Sequence, residues 1–256
     1  MNKIIAIPAF KDNYIWTILN DRENQAVVID PGDATPVLHF LKIHSLTLKA
    51  ILLTHHHHDH SGGIPILRDH FPNIPVFGSK KGKLSAITHG VDEKTTITLA
   101  SFPALAVLEI PGHTLDHVAY ISASALFCGD TLFSCGCGKI FEGTPEQMFN
   151  SLAKIKKINE NQLVYCGHEY TQANITFAQT VDPFNLELQK RRKEVEDQRA
   201  KMLPSLPVSL KKELLTNPFL RCDQKSVREN VRKHYSLLAE DPLTIFTYLR
   251  TWKDKF

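Results

Sequence analysis

The feature that most constrains this chain is an internal cluster of side chains that bind metals. Four consecutive histidines, His55 to His58, are followed by Asp59 and His60, directly after the apolar run 50–53. Five of the thirteen histidines of the chain lie within these six positions. An expression tag would lie at a terminus, whereas this cluster lies between an apolar strand and a Gly-Gly pair. The cluster therefore predicts a turn at a strand end that directs several ligands into a cleft.

Alternation along the backbone divides the cluster into two sets of ligands. In an extended segment residues i and i+2 point the same way, so His55 and His57 are predicted to bind one ion. Asp59 and His60, which follow a bend, are predicted to bind a second ion. Imidazole nitrogen and carboxylate oxygen suit zinc, and they also suit iron and manganese. Three further candidates each stand close to a glycine in the sequence: His113, Asp130 and His168.

These residues together predict a site for two divalent metal ions. A chain of 256 residues can bury enough surface to fold without a metal, so the site is expected to have a chemical role.

The composition is that of a folded globular protein. Hydrophobic residues make up 43% of the chain and charged residues 22%, which excludes extensive disorder. No apolar run approaches the ~18 residues of a membrane span, and the N-terminus lacks the pattern of a secretory signal. The five cysteines are odd in number and include no CxxC pair, which favours reduced thiols. We therefore expect a cytoplasmic monomer without a membrane partner.

The charge of the chain is unevenly distributed. The net charge is +3, but from Thr171 to the end 16 lysines and arginines stand against 11 acidic residues. Such a basic segment fits nucleic acid, an anionic lipid surface or an anionic small molecule, and it fits a solvated helical face equally well. Charge alone does not choose between these possibilities.

The pattern of apolar residues changes near residue 170. Before it, short β-branched and aromatic runs alternate with helices predicted over 35–44, 63–71 and 145–158. The last of these begins with an N-cap at Thr144, a proline in the first turn and a capping-box glutamine, Gln147. The later pattern predicts helices over 171–181, 185–201, 210–215, 225–239 and 242–252. The sequence thus predicts a domain of two sheets with outer helices over 1–170 and a smaller all-α domain over 171–256.

The histidine cluster resembles the HxHxDH signature of the metallo-β-lactamase superfamily, and His113, Asp130 and His168 match its remaining ligand positions in order. The resemblance implies an α+β fold, a four-layer αββα sandwich with the metals at one end of the two sheets. The ligands of the first metal would be His55, His57 and His113. The ligands of the second would be Asp59, His60 and His168, and Asp130 would bridge the two.

The same resemblance assigns roles outside the ligand set. His56 and His58 do not correspond to ligand positions and are expected at the rim of the site or behind the ligands. The segment 28–32 looks like the superfamily's strand-ending turn, in which Asp30 braces the site.

Three segments make the resemblance more specific. They are Cys-Gly-His-Glu-Tyr-Thr at 166–171, a glycine-rich loop at 136–144, and a helical tail that includes 217–221 and ends in 241–254. They resemble the glyoxalase II family, and the resemblance spans nearly the whole chain. It implies substrate contacts through Lys139, Phe141, Tyr170, Arg250 and Lys253.

The family resemblance implies hydrolysis of S-(2-hydroxyacyl)glutathione thioesters, notably S-D-lactoylglutathione, to glutathione and D-lactate in methylglyoxal detoxification. Two cations that share a water lower its pKa toward ~7, so metal-bound hydroxide would attack the thioester carbonyl. Asp59 and Asp130 are the protein residues implied in this step. The leaving thiolate has a reference pKa of about 8.5 and departs with little help from a general acid.

Two departures from the family pattern and three rival functions accompany this prediction. Phe141 stands where some members carry tyrosine, and Asp116 stands where many carry glycine or serine. A persulfide dioxygenase with one iron would lack the long helical tail, and an RNA-processing nuclease would carry an additional domain inserted within the core. A metal-binding protein without catalytic activity would have little need for the complete ligand set. The predicted partner is a small glutathione thioester, not a nucleic acid.

Overall fold

The computed structural model describes residues 3–20, 22, 24–238 and 240–256. These residues form two compact units. The first unit comprises the chain up to Glu109 together with Thr114–Gly129, and the second comprises Ile110–His113 together with Asp130–Phe256. Residues 130–170, predicted to belong to the first domain, lie in the second unit, and the division into domains at residue 170 stays a prediction.

The first unit contains a mixed sheet whose strands follow one another in chain order. Its strands are β1 (Lys3–Ala9), β2 (Asn13–Asn20), β3 (Gln25–Ile29), β4 (Thr47–Leu52), β5 (Val76–Ser79) and β6 (His89–Val91). Strands β1 to β3 are antiparallel, whereas β3 to β6 are parallel. Parallel neighbours need a crossover, and helices α1 (Ala34–Ile43) and α3 (Ile64–His70) provide two of them. The short helix α2 (His58–Ser61) lies between β4 and α3.

Strand pairing brings two turns of the site to one edge of this sheet. Ile29 of β3 lies opposite Leu52 of β4, and the two strands run in the same direction. Their carboxyl ends therefore meet at the same edge, which places Asp30 next to the segment that carries the histidine cluster. Strand β1 was not predicted, because it contains Pro8; as an edge strand it accommodates a residue that lacks a backbone N–H.

A second, antiparallel group of strands completes the first unit. Its members are β7 (Thr96–Ile97), β8 (Leu105–Glu109), β9 (Val118–Ile121) and β10 (Ala125–Gly129). The fully buried Tyr120 of β9 donates its hydroxyl hydrogen bond to the carbonyl of Leu53 at 2.7 Å. This bond joins the two groups of strands, and the predicted pair of sheets is confirmed.

The second unit is mainly helical. Its helices are α4 (Pro145–Ile155), α5 (Thr171–Val181), α6 (Leu186–Ala200), α7 (Leu210–Thr216), a 3₁₀ turn (Pro218–Leu220), α8 (Lys225–Tyr235) and α9 (Pro242–Asp254). Its short strands are β11 (Leu132–Phe133), β12 (Gly136–Cys137), β13 (Leu163–Cys166) and β14 (Val208–Ser209). Buried Phe177, Phe219 and Phe246 pack together in its core.

Local sequence signals predicted some helix ends correctly and others incorrectly. The predicted capping box of α4 is confirmed, since the Thr144 hydroxyl accepts from Gln147 N and the Gln147 side chain accepts from Thr144 N. The helix predicted over 225–239 ends earlier, at Tyr235, because Ser236 adopts a left-handed conformation with φ of 55°. Residue 239 lies outside the described residues.

Each of the five cysteines is buried, and none forms a disulfide within the described structure. None of the described helices combines the length and the apolar character that a transmembrane span requires.

Candidate metal centre

The histidine cluster of the first unit follows β4 and continues into α2. The ring centroids of His55 and His57 lie 4.8 Å apart, and the ring of His60 lies 4.2 Å from that of His55. The imidazoles that alternation predicted to act together are therefore neighbours. Ser61 Oγ lies 3.0 Å from the carbonyl oxygens of both His56 and His57. This contact stabilises the backbone of the cluster.

Asp30 braces this cluster from the neighbouring strand, as the resemblance implied. It accepts hydrogen bonds from the backbone N–H and the hydroxyl of Thr54, both at 2.7 Å. Its Oδ2 also lies 3.1 Å from Nδ1 of His60. A histidine held through one ring nitrogen presents the other to a metal, so this contact orients Nε2 of His60 as the donor. Donor atoms of Asp30, His55 and His60 lie within 4.8 Å of one another.

Asp59 supplies a carboxylate that remains partly open. Asn13 Nδ2 donates to its Oδ2 at 3.1 Å, and that oxygen lies 3.5 Å from Nε2 of His60. The side chain of Asp59 is 44% exposed. A Cβ at Gly32 would come within 1.8 Å of the Asp59 carbonyl oxygen, so only glycine fits the turn that supports it. Sequence reasoning missed Asn13, which is 46 positions from its partner.

His56 contacts both a carboxylate and its neighbour His57, whose ring centroid lies 5.2 Å from its own. Its Nδ1 lies 2.9 Å from Oδ1 of Asp116, which also accepts from the Thr114 hydroxyl at 2.7 Å. This pairing gives Asp116, a departure from the family pattern, a definite contact. The assignment of non-ligand roles to His56 and His58 stays a prediction.

In the second unit two buried imidazoles, those of His113 and His168, face one carboxylate oxygen of the buried Asp130. Oδ2 of Asp130 lies 3.7 Å from Nε2 of His113 and 3.2 Å from Nε2 of His168. Both imidazoles thus direct the same ring nitrogen toward Asp130. The bridging role of Asp130 stays a prediction.

Contacts other than those with Asp130 orient both histidines of the second unit. Nδ1 of His113 donates to the carbonyl oxygen of Lys139 at 2.7 Å, which directs Nε2 toward Asp130. The ring of His168 stacks on Tyr170 with an interplanar angle of 5° and meets Phe133 edge-on. Aromatic packing thus restricts the orientation of the His168 ring, and a hydrogen bond restricts that of the His113 ring.

Two glycines allow close backbone contacts beside His113 and Asp130. A Cβ at Gly138 would lie 1.8 Å from the carbonyl oxygen of Asp130. Gly112 has φ of 152°, and a Cβ there would lie 2.7 Å from Cα of Met148. Larger residues at either position would displace the segments that carry His113 and Asp130.

The five predicted substrate contacts all lie in the second unit. Phe141 is 60% exposed, its ring meets His113 edge-on, and Nζ of Lys139 lies 5.4 Å from its centroid. Tyr170 is 37% exposed. These three side chains form a mixed aromatic and cationic surface beside His113 and His168.

The two predicted contacts on α9 differ in their surroundings. Nζ of Lys253 lies 5.0 Å from the centroid of Phe177. Burial, together with the nearby charge of Arg250, lowers the pKa of Lys253 to about 8. Arg250 is buried, and its Nη1 donates to the carbonyl oxygen of Cys137 at 2.8 Å. Lys253 is thus a cation that titrates near neutral pH, whereas Arg250 is a cation that binds a backbone carbonyl.

The chemistry of the donors fits divalent metal ions. Imidazole nitrogens and carboxylate oxygens converge in each unit, and supporting contacts orient several of them. These are the ligands that zinc, iron and manganese accept.

Comparison with known proteins gives the class of protein first. Residues 12–168 match the family model described as metallo-beta-lactamase superfamily. The crystal structure of BLEG-1 B3 metallo-beta-lactamase superposes with a TM-score of 0.63 at 25% identity, covering 86% of this chain and 99% of that one. ETHE1 from Myxococcus xanthus superposes with a TM-score of 0.58 at 29% identity, covering 66% of this chain and 76% of that one. The fold and the donors define a member of the metallo-β-lactamase superfamily.

The remainder of the chain identifies the family. Residues 169–256 match the model described as hydroxyacylglutathione hydrolase C-terminus. Proteins named hydroxyacylglutathione hydrolase from Photobacterium profundum and Vibrio cholerae are 48% and 50% identical to this chain, over the full length of each partner. The chain belongs to the hydroxyacylglutathione hydrolase family. The predicted family and the predicted α+β fold with a helical C-terminal region are confirmed.

Proposed function

We propose that this chain hydrolyses S-(2-hydroxyacyl)glutathione thioesters, S-D-lactoylglutathione above all, to glutathione and a 2-hydroxy acid. The observation that carries the proposal is the full-length match to relatives named hydroxyacylglutathione hydrolase. The match to the C-terminal family model supports it, because the segment that distinguishes this family from the wider superfamily is present.

We further propose that the enzyme uses two divalent metal ions per chain, zinc foremost and iron or manganese as alternatives. The proposed ligands in the first unit are His55, His57, Asp59 and His60. The proposed ligands in the second unit are His113, Asp130 and His168, with Asp130 bridging. Bound ions would polarise the thioester carbonyl and make water a stronger nucleophile at neutral pH.

The residues around the ligands hold the donors in productive orientations. Asp30 orients Nε2 of His60, and the Lys139 carbonyl orients Nε2 of His113. Asp59 is held by Asn13 yet remains partly exposed, which supports the proposal that its carboxylate accepts a proton from attacking water. The leaving thiol has a reference pKa of about 8.5, so it departs as thiolate with little general-acid assistance.

Substrate recognition is proposed to rest on the exposed surface of the second unit. Lys139 and Lys253 are suited to the two carboxylates of glutathione, and a carboxylate close to Lys253 would favour its charged form. Tyr170 offers a hydroxyl, whereas Phe141 offers only apolar contact. Arg250, the fifth predicted contact, is 8% exposed, and its guanidinium is proposed to contribute positive charge beside Lys253.

The proposal is tested by measuring hydrolysis of S-D-lactoylglutathione together with metal content of the purified protein. We expect release of glutathione and D-lactate, two metal ions per chain, and loss of activity after chelation that returns on adding zinc. Oxygen uptake with glutathione persulfide in place of thioester hydrolysis would instead establish the rival dioxygenase. A monomeric, cytoplasmic enzyme without nucleic-acid or membrane partners stays a prediction, which sedimentation and cell fractionation would check.

A further inference from the structure

The segment that follows β13 carries two side chains that contact the same distant serine. The Glu169 carboxylate accepts from the backbone N–H of Ser205 at 2.8 Å and, through its other oxygen, from the Ser205 hydroxyl. The same hydroxyl lies 2.6 Å from Oγ1 of Thr171. Ser205 and Thr171 are buried, and the Glu169 side chain is 9% exposed. Three polar contacts thus join this segment to a residue 34 to 36 positions away in the sequence.

A buried arginine holds Ser205 in turn. Nη2 of Arg191, on α6, donates to the Ser205 carbonyl oxygen at 2.8 Å and lies 3.5 Å from Oγ of Ser134. The Ser134 hydroxyl donates to the fully buried Glu213 at 2.8 Å. These contacts connect Ser205 to the turn between β11 and β12, which follows Asp130 along the chain.

The two residues that contact Ser205 flank the ring on which His168 stacks. Glu169 and Thr171 are the sequence neighbours of Tyr170. The rings of Tyr170 and His168 lie parallel, with centroids 4.6 Å apart. Since Tyr170 is 37% exposed, its own burial is incomplete, and the backbone on either side contributes to the placement of its ring.

The placement of the 168–170 backbone also affects the direction of the His168 imidazole. Nε2 of His168 lies 3.2 Å from Oδ2 of Asp130. Phe133 meets both stacked rings edge-on, so packing and the Ser205 contacts restrain the pair together. A change in the peptide that joins His168 to Glu169 would therefore turn the imidazole relative to Asp130.

We propose that Glu169 is a positioning residue for His168: by binding Ser205, its carboxylate fixes the 168–170 backbone and directs the imidazole toward Asp130. The kinetic consequences rest on the proposed function, whereas the orientation of the ring does not. Loss of a partner bonded directly to a metal-binding histidine costs about 10- to 100-fold in metal affinity or activity. Because Glu169 acts through the backbone, we expect a loss of about 10-fold, at the lower end of that range.

The test compares Glu169→Ala, Glu169→Gln and Ser205→Ala with the control Glu196→Ala. Glu196 is an exposed carboxylate of α6 that pairs with Arg192, so its removal controls for the loss of a charge in the same unit. Titration against a competing chelator measures zinc affinity. Values of kcat and KM are measured with S-D-lactoylglutathione and with a small 2-hydroxyacyl thioester that lacks the tripeptide.

We expect Glu169→Ala to weaken zinc binding and to lower kcat for both substrates by about 10-fold. Glu169→Gln keeps one acceptor oxygen and Ser205→Ala keeps the backbone N–H, so each should cause a smaller loss of roughly 2- to 5-fold. Glu196→Ala should leave zinc affinity and kcat unchanged. If Glu169→Ala does not fold, Glu169→Gln and Ser205→Ala decide by the same measurements.

A second readout uses the metal-free protein, so that it does not depend on activity. The stacked ring of Tyr170 shifts the NMR signals of the His168 ring protons, and loss of these signals in His168→Gln identifies them. We expect this ring-current shift to decrease in Glu169→Ala and to remain in Glu196→Ala. A role in overall stability alone would lower the melting temperature without moving these signals.

The outcomes separate the positioning role from its alternatives. Unchanged His168 signals and unchanged zinc affinity in Glu169→Ala would overturn it. A KM raised for the glutathione thioester alone would also overturn it, and would show that Glu169 places Tyr170 for the substrate. If the unaltered protein hydrolyses neither thioester, the proposed function fails, while the His168 signals and zinc affinity still decide the role of Glu169.

Discussion

The two units hold their proposed metal ligands in different ways. In the first unit the donors are nearly contiguous, from His55 to His60, and the brace comes from Asp30 on the adjacent parallel strand. In the second unit the donors His113, Asp130 and His168 are far apart in the sequence. They are oriented by a backbone carbonyl, a glycine contact and stacked aromatic rings.

The geometry of the two donor sets therefore depends on different kinds of contact. The contiguous donors depend on local backbone alternation and on one strand pair. The dispersed donors depend on tertiary contacts of the 130–141 segment, so their geometry is more sensitive to changes that lie away from the ligands.

Removal of the carboxylate shared by the second-unit histidines is expected to have the largest effect. Asp130→Ala should lose at least one metal ion and lower kcat/KM by roughly 10³-fold or more, because bound cations supply several kcal/mol of transition-state stabilisation. Metal analysis and thioester kinetics measure both. Asp223→Ala, which removes a more exposed carboxylate of the same unit, is the matched control and should leave both near normal. Two metals and normal turnover in Asp130→Ala would remove it from the ligand set.

Alternation in the first unit is tested by a pair of neighbouring substitutions. His57→Ala should lose a metal ion and most activity, whereas His56→Ala should retain metal content near that of the parent, because His56 is turned toward Asp116. Metal content and melting temperature are measured for each variant. Equal metal loss from both would show that alternation does not select the ligands.

The brace from the adjacent strand is expected to have an intermediate effect. Asp30→Asn keeps the size of the side chain but removes the charge that faces Nδ1 of His60. Zinc affinity should fall by about 10- to 100-fold with little change in secondary structure. Titration with a competing chelator measures the affinity. An unchanged affinity would mean that the backbone of the cluster alone positions His60.

The smallest expected effect concerns the substrate surface of the second unit. Lys253, with a pKa of about 8, is charged below that pH and neutral above it. KM for S-D-lactoylglutathione should therefore rise by roughly 2- to 5-fold as the pH increases through this value, since a partly exposed ion pair is worth up to about 1 kcal/mol. Lys253→Arg, which stays charged, should abolish the inflection. An inflection that persists in that variant would assign it to another group.

The sequence predicted what depends on neighbours along the chain. The histidine cluster stood out because its donors are adjacent, and the start of α4 because its capping residues are three positions apart. The contacts of Asn13 and Arg250 were not predicted, because their partners lie 46 and 113 positions away. Short strands such as β11 and β12 were not predicted either, because distant contacts stabilise them and their sequence carries no strand pattern.

The burial of the cysteines has a consequence for an enzyme whose proposed product is a thiol. Burial raises the pKa of Cys135 and Cys222 far above the usual range, and it raises the pKa of Cys137 even though Arg250 lies beside it. Thiol–disulfide exchange requires an accessible thiolate, and these side chains offer neither access nor charge. Mixed disulfides between oxidised glutathione and Cys135, Cys137 or Cys222 are therefore disfavoured.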